Sequence, residues 1–75
     1  MGTSSKDQAK STIESLQRQI KELQKRIEYY QNQNKLTKDK HTKEVNKRQI
    51  ELTRAEIAKR RESIARIRES MRSMK

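Results

Sequence analysis

Ile13, Leu16, Ile20, Leu23, Ile27 and Tyr30 follow one another at alternating steps of three and four residues. On a helix of about 3.6 residues per turn this rhythm draws one narrow apolar line. In heptad terms Ile13, Ile20 and Ile27 are a residues, and Leu16, Leu23 and Tyr30 are d residues, with Ala9 as an earlier d. Ile at a and Leu at d form the seam of a coiled coil. The remaining positions are filled mainly by Gln, Lys, Arg and Glu, which favour helix. Such a line cannot bury itself and needs a second apolar stripe to face.

Composition leaves few other ways to fold. The chain has 75 residues, 28% hydrophobic and 40% charged, with no Phe, Trp, Pro or Cys. A chain this short and polar cannot enclose an ordinary globular core. Disorder or long paired helices remain, and the heptad rhythm selects helices. Ser5 with Gln8 and Ser11 with Glu14 both have capping-box spacing. The first helix is expected over residues 7–32, after a disordered tail of residues 1–6.

A second stripe lies further on. Ile50, Ile57, Ile64 and Met71 recur every seven residues, and Ile67 and Met74 add the intervening step. Val45 and Leu52 widen this stripe to about 160° of the helix surface. Thr53 and Arg60 are polar residues in its centre. Ile27 and Ile50 lie three heptads plus two residues apart, so one straight seam cannot join the halves. The segment between them, "QNQNKLTKDKHT", is rich in turn-forming Asn, Thr and Asp. Asn34 is a candidate left-handed end for the first helix, and Thr37 or Asp39 a candidate start for the second. The expected fold is all-α: an antiparallel helical hairpin, a two-helix coiled coil that oligomerises into a helical bundle. Its parts are a helix over 7–32, a turn over 33–40 and a helix over 41–74. A continuous helix is the rival arrangement.

A turn centred near Lys35 would pair residues whose numbers sum to about 71. Ile13 would then meet Ile57, and Ile20 the region of Ile50, completing a hairpin seam of Ile13, Leu16, Ile20, Leu23, Ile27, Tyr30 and Ile50. Ile64, Ile67, Met71 and Met74 would project past the first helix. Burying each is worth about 1.5–3 kcal/mol. The expectation is therefore self-association or partner docking through Ile57, Ile64, Ile67, Met71 and Met74.

The net charge is +10, and residues 36–75 hold +7 of it, with thirteen Lys/Arg against six Asp/Glu. Arg60, Arg61, Arg66, Arg68 and Arg72 are candidate anion-binding residues in a basic amphipathic segment. Such a segment fits nucleic-acid backbone, an anionic membrane surface or an acidic protein groove. Glu62 and Glu69 interrupt it at ion-pair spacing. Tyr29 and Tyr30 are the only aromatic residues, a sparse platform for stacking bases.

No catalytic constellation, Gly-rich phosphate loop or paired carboxylate site is present, so a non-enzyme is expected. His41 is the only histidine and there is no Cys, so no metal or cofactor is expected, and no small-molecule substrate. No apolar run is long enough to span a membrane, and no signal-peptide core is present, so a cytoplasmic location is expected.

"IESLQRQIKELQKRI" (Ile13–Ile27), a polar break and "KRQIELTRAEIAKRRESI" (Lys47–Ile64) together resemble the FlxA-like family. Those are small bacterial proteins with Gln-rich I-x-x-L-Q-x-Q-I repeats in two helical stretches. The second stretch here carries Arg and Lys where the family pattern has Gln. The resemblance implies a bacterial, prophage- or motility-associated protein and assigns no site residues. The leading functional expectation is a coiled-coil interaction module, an adaptor, small chaperone or assembly factor, with a protein partner or a homo-oligomer. The alternative is a basic hairpin that binds RNA or DNA backbone, and a membrane-surface role ranks third.

Overall fold

The computed structural model describes residues 5–73. The described residues form two helices, α1 (Ser5–Leu36) and α2 (Lys40–Arg72), joined by a turn of three residues. They pack along their length as an antiparallel hairpin, 57 Å long, 20 Å wide and 13 Å thick. The molecule is two helices wide and one helix thick.

The helix boundaries differ from the sequence expectation. Ser5 and Lys6 are already helical, and residues 1–4 of the expected tail lie outside the described residues. The first helix runs through Asn32 to Leu36, and the turn shrinks to residues 37–39 before α2 at Lys40–Arg72. Asn34 does not end the helix: no described residue has a positive φ. It stays helical because its amide finds partners across the seam. Asn34 Oδ1 accepts from Asn46 Nδ2 at 2.9 Å, and Asn34 Nδ2 lies 3.4 Å from the Lys43 carbonyl oxygen. The apolar rhythm therefore turns polar at Asn34 without leaving the seam.

Asp39 caps α2. It has an extended backbone, and its carboxylate accepts the Thr42 N–H at 3.1 Å and the Thr42 hydroxyl at 2.6 Å. This satisfies one of the unpaired amides at the helix start and stops α1 from running on. The Thr37 N–H closes the last turn of α1 on the Gln33 carbonyl at 3.0 Å, and the Asp39 N–H approaches Thr37 Oγ1 at 3.3 Å.

The register is the main correction. The Asn34–Asn46 pair sets opposite one another residues whose numbers sum to 80, and the Gln19–Arg60 hydrogen bond agrees within one residue. Most of the change from 71 comes from the turn. Its centre moves from near Lys35 to Lys38, and each residue of shift adds two to the sum. Every a residue of α1 then faces a d residue of α2, and the reverse. Leu23 lies across from Ile57, Leu16 from Ile64, Ile13 from Ile67 and Ala9 from Met71.

The core follows this pairing. Ile13, Ile20, Ile57 and Ile64 are buried together, with Leu16, Leu23, Ile27, Ile67 and Met71 packed against them. No apolar overhang exists among the described residues: Ile64, Ile67 and Met71 find their partners in α1. Met74 lies outside the described residues. The seam of α2 is also narrower than expected. Asn46 and Thr53 are buried in it, while Val45 and Leu52 are 45% and 56% exposed and lie outside it. The α2 seam thus runs Asn46, Ile50, Thr53, Ile57, Arg60, Ile64, Ile67 and Met71. Its d residues Asn46, Thr53 and Arg60 are polar, and Ile67 towards the open end is apolar.

Candidate interaction surface

Each polar d residue of α2 is satisfied where it sits. Thr53 Oγ1 donates back to the Gln49 carbonyl at 2.7 Å, which lets a hydroxyl occupy a site only 5% exposed. Arg60 lays its stem in the seam beside Ile57 and Ile64 and sends its head out to one flank. There Nε donates to Gln19 Oε1 at 2.9 Å, and Nη1 donates to Glu56 Oε2 at 2.7 Å and the Glu56 carbonyl at 3.1 Å. The Arg60 hydrogen bond, aided by the Lys59 charge, holds the Glu56 carboxyl below the usual carboxylate range. Arg60 is therefore a seam residue whose donors are engaged within the chain.

Two further candidate anion-binding residues are also engaged. Arg66 pairs with Glu62 at 3.0 Å and Arg72 with Glu69 at 3.2 Å, both on exposed helix surface. Of the self-association candidates, Ile57 and Ile64 are buried, and Ile67 and Met71 are half-buried against α1. Of the seam candidates, Ile13, Ile20 and Ile50 are buried, and Leu16, Leu23, Ile27 and Tyr30 are half-buried. Tyr30 meets the Tyr29 ring edge-on, with centroids 5.5 Å apart.

Arg61 and Arg68 differ from Arg60, Arg66 and Arg72. They line a groove along one flank of the hairpin, and Arg54 continues their row. One stretch of the groove is walled by Gln17 on α1 and by Arg61, Ala65 and Arg68 on α2, over Ile20 and Ile64. The next is walled by Gln24 and by Arg54, Ala58 and Arg61, over Ile27 and Ile57. Arg61 borders both stretches, so they form one groove. Arg54, Arg61 and Arg68 recur every seven residues, about 10.5 Å apart along the helix. None makes an ion pair or a hydrogen bond among the described residues.

The sequence enforces this isolation. On a helix, charge partners sit three or four residues away. Arg61 has Ile57, Ala58, Ile64 and Ala65 at those positions, and Arg68 has Ile64, Ala65, Met71 and Arg72. Neither has a carboxylate within reach on its own helix. Arg54 has one, Glu51, and forms no ion pair with it. Across the groove α1 offers the neutral amides of Gln17 and Gln24. In the same half of α2 the carboxylates of Glu56, Glu62 and Glu69 are each engaged by other cations: Lys59 and Arg60, Arg66, and Arg72.

Arg54, Ala58, Ala65, Gln17 and Gln24 escaped the sequence reading. The heptad letters hold the signal. With Ile50, Ile57 and Ile64 as a, the e column of α2 reads Lys47, Arg54, Arg61, Arg68, and its b column turns to Ala at 58 and 65. Among the described residues no group of three His, Cys, Asp or Glu side chains is placed to hold a metal ion. No described helix is long and apolar enough to cross a membrane.

Comparison with family models, with curated proteins and with solved structures finds no match for this chain.

Proposed function

We propose that the hairpin is a non-enzymatic coiled-coil interaction module, an adaptor or assembly factor, that docks an acidic segment of another protein along the Arg54–Arg61–Arg68 flank. The observation that carries this reading is the absence of a carboxylate on α2 within pairing distance of Arg61 and Arg68, while Arg60, Arg66 and Arg72 are all paired. Free guanidiniums at heptad intervals over an apolar groove match carboxylates presented at the same interval. The docking face moves from Ile57, Ile64, Ile67 and Met71, which pack on α1, to the flank of α2.

The shape supports the same role. The chain exposes 6349 Å², about 1,500 Å² more than a compact protein of 9.0 kDa would. A stable partner takes about 800 Å² per side.

Nucleic-acid backbone is the second reading, favoured by the same row of arginines and by the +10 charge. The groove floor argues for protein, since phosphates gain nothing from Ile and Ala. The aromatic pair adds little to the nucleic-acid reading, because Tyr29 sits at a heptad c position, away from the arginine flank.

The test is fluorescence anisotropy of the full chain with labelled poly-glutamate and with labelled single-stranded RNA across a salt series. The reading expects poly-glutamate binding that weakens on Arg54→Gln/Arg61→Gln/Arg68→Gln substitution, and RNA binding that fades by physiological salt. RNA binding that survives physiological salt and needs the three arginines would transfer the function to nucleic acid.

A further inference from the structure

The flank carries more than charge. Ala58 and Ala65 are both exposed, and they occupy the b column beside the arginines. Along α2 the order is Arg54, Ala58, Arg61, Ala65, Arg68, so one helix face alternates a long cation with a methyl group. A side chain as small as Ala lets a neighbouring backbone come close. An extended acidic chain or a nucleic-acid strand would need the arginines but not this gap.

We infer that the groove between Gln17/Gln24 and Arg54/Arg61/Arg68 seats an acidic amphipathic α-helix from a partner protein, completing a three-helix bundle. This rests on the proposed role of the flank as an acidic docking surface and specifies what docks there. Three features define the occupant. The arginines lie about 10.5 Å apart, the rise of one heptad, so a helix with Glu once per heptad keeps step with them over about 21 Å. The alanines lie between the arginines, so knobs of the incoming helix enter over Ala58 and Ala65 and meet the edges of Ile20, Ile27, Ile57 and Ile64. The opposite wall is Gln17 and Gln24, whose amides accept and donate without adding charge. A second copy of this chain is a poor occupant, because it brings a further +10. The opposite flank lacks the device: its α2 column reads Gln49, Glu56, Ser63, Ser70, and Glu56 there is held by Arg60.

Docking of this kind has a signature that charge alone lacks. The probe is a synthetic peptide of about three heptads, with Leu at a and d and Glu at e and g. The control keeps the same Leu and Glu residues, with prolines substituted at the remaining positions to prevent helix. Circular dichroism and anisotropy are read with the full chain, with Ala58→Gln/Ala65→Gln and with Arg54→Gln/Arg61→Gln/Arg68→Gln. Gln is a good helix former, so the alanine variant keeps its fold and its charge. The inference expects the helical peptide to bind with a gain of helix signal and the control to bind at least tenfold more weakly. Filling the gap with Gln should weaken the helical peptide about tenfold while leaving poly-glutamate unchanged. Removing the three arginines should weaken both. Equal binding of peptide and control, unaffected at 58 and 65 but lost with the arginines, would overturn the helix inference and leave acidic docking standing. Binding indifferent to the arginines would overturn both.

Discussion

Asn46 donates to the Asn34 side-chain oxygen at 2.9 Å, across the seam, with Asn34 one turn before the Thr37–Asp39 loop and Asn46 two turns after it. Two polar residues in matching slots are a device for fixing register, because sliding either helix strands an amide against apolar neighbours. Asn46→Leu alone leaves the Asn34 oxygen without its donor and is expected to cost about 1 kcal/mol in urea denaturation. Asn34→Ile/Asn46→Leu together should recover that loss and exceed the parent in stability, as apolar pairs do in such seams. A single substitution as harmless as the pair would show that the hydrogen bond does not hold the register.

The assignment of seam and surface on α2 is tested by contrasting neighbours. Ile64 and Ile57 are each 6% exposed, whereas Leu52 is 56% exposed. Ile57→Ala or Ile64→Ala should cost about 2–4 kcal/mol, enough to unfold much of so small a protein. Leu52→Ala should stay within about 0.5 kcal/mol. Thermal melts followed by circular dichroism decide it. A large loss at Leu52 would restore the wide stripe.

Arg60 replaces an apolar residue at the centre of the seam, facing Ile20. Its guanidinium is satisfied, yet satisfied polar groups in a core seldom add net stability over apolar ones. Arg60→Leu should raise stability by about 1 kcal/mol. It should leave poly-glutamate binding unchanged, since Arg60 serves Gln19 and Glu56 on the other flank. Lost binding in this variant would place Arg60 back among the anion-binding residues.

Acid should weaken the hairpin through two identified carboxyls. The hydroxyl and N–H of Thr42 hold Asp39 below its ordinary range, and the Arg60 hydrogen bond does the same for Glu56. A carboxyl depressed in the folded state contributes stability above its unfolded value and loses it as pH falls through the folded one. Stability should therefore be flat near neutrality and decline below about pH 4. Asp39→Asn and Glu56→Gln should each flatten that decline. An unchanged acid limb in both variants would refute the two contacts.

The helices and the hairpin were legible because a heptad rhythm and a run of turn-forming residues are local signals. The register was not. Asn34 reads as a helix end by composition, and only its meeting with Asn46, twelve residues on, makes it a seam residue. Val45 and Leu52 drew the stripe outward because they are apolar, while Asn46 and Thr53 hid in it because they are not. That slip of nine in the pairing sum created an overhang at Ile64, Ile67 and Met71 which the fold removes. The arginine row was half legible. Arg61 and Arg68 stood out by charge. Their freedom from carboxylates on their own helix follows from the spacing, but that α1 sets the neutral Gln17 and Gln24 across from them depends on the register.

The most direct test of the account is a distance measurement between spin labels by pulsed electron resonance, with labelled chains diluted in unlabelled protein. Ser11, Glu62 and Glu69 are exposed and lie at the same heptad position on their helices. Labels at Ser11→Cys and Glu69→Cys should lie about two helix diameters apart, roughly 20–25 Å, and closer than labels at Ser11→Cys and Glu62→Cys. A shorter distance from Ser11 to Glu62 would restore the overhang and contradict the register on which the groove rests. A separation near 87 Å between Ser11 and Glu69 would mean one continuous helix and no groove at all.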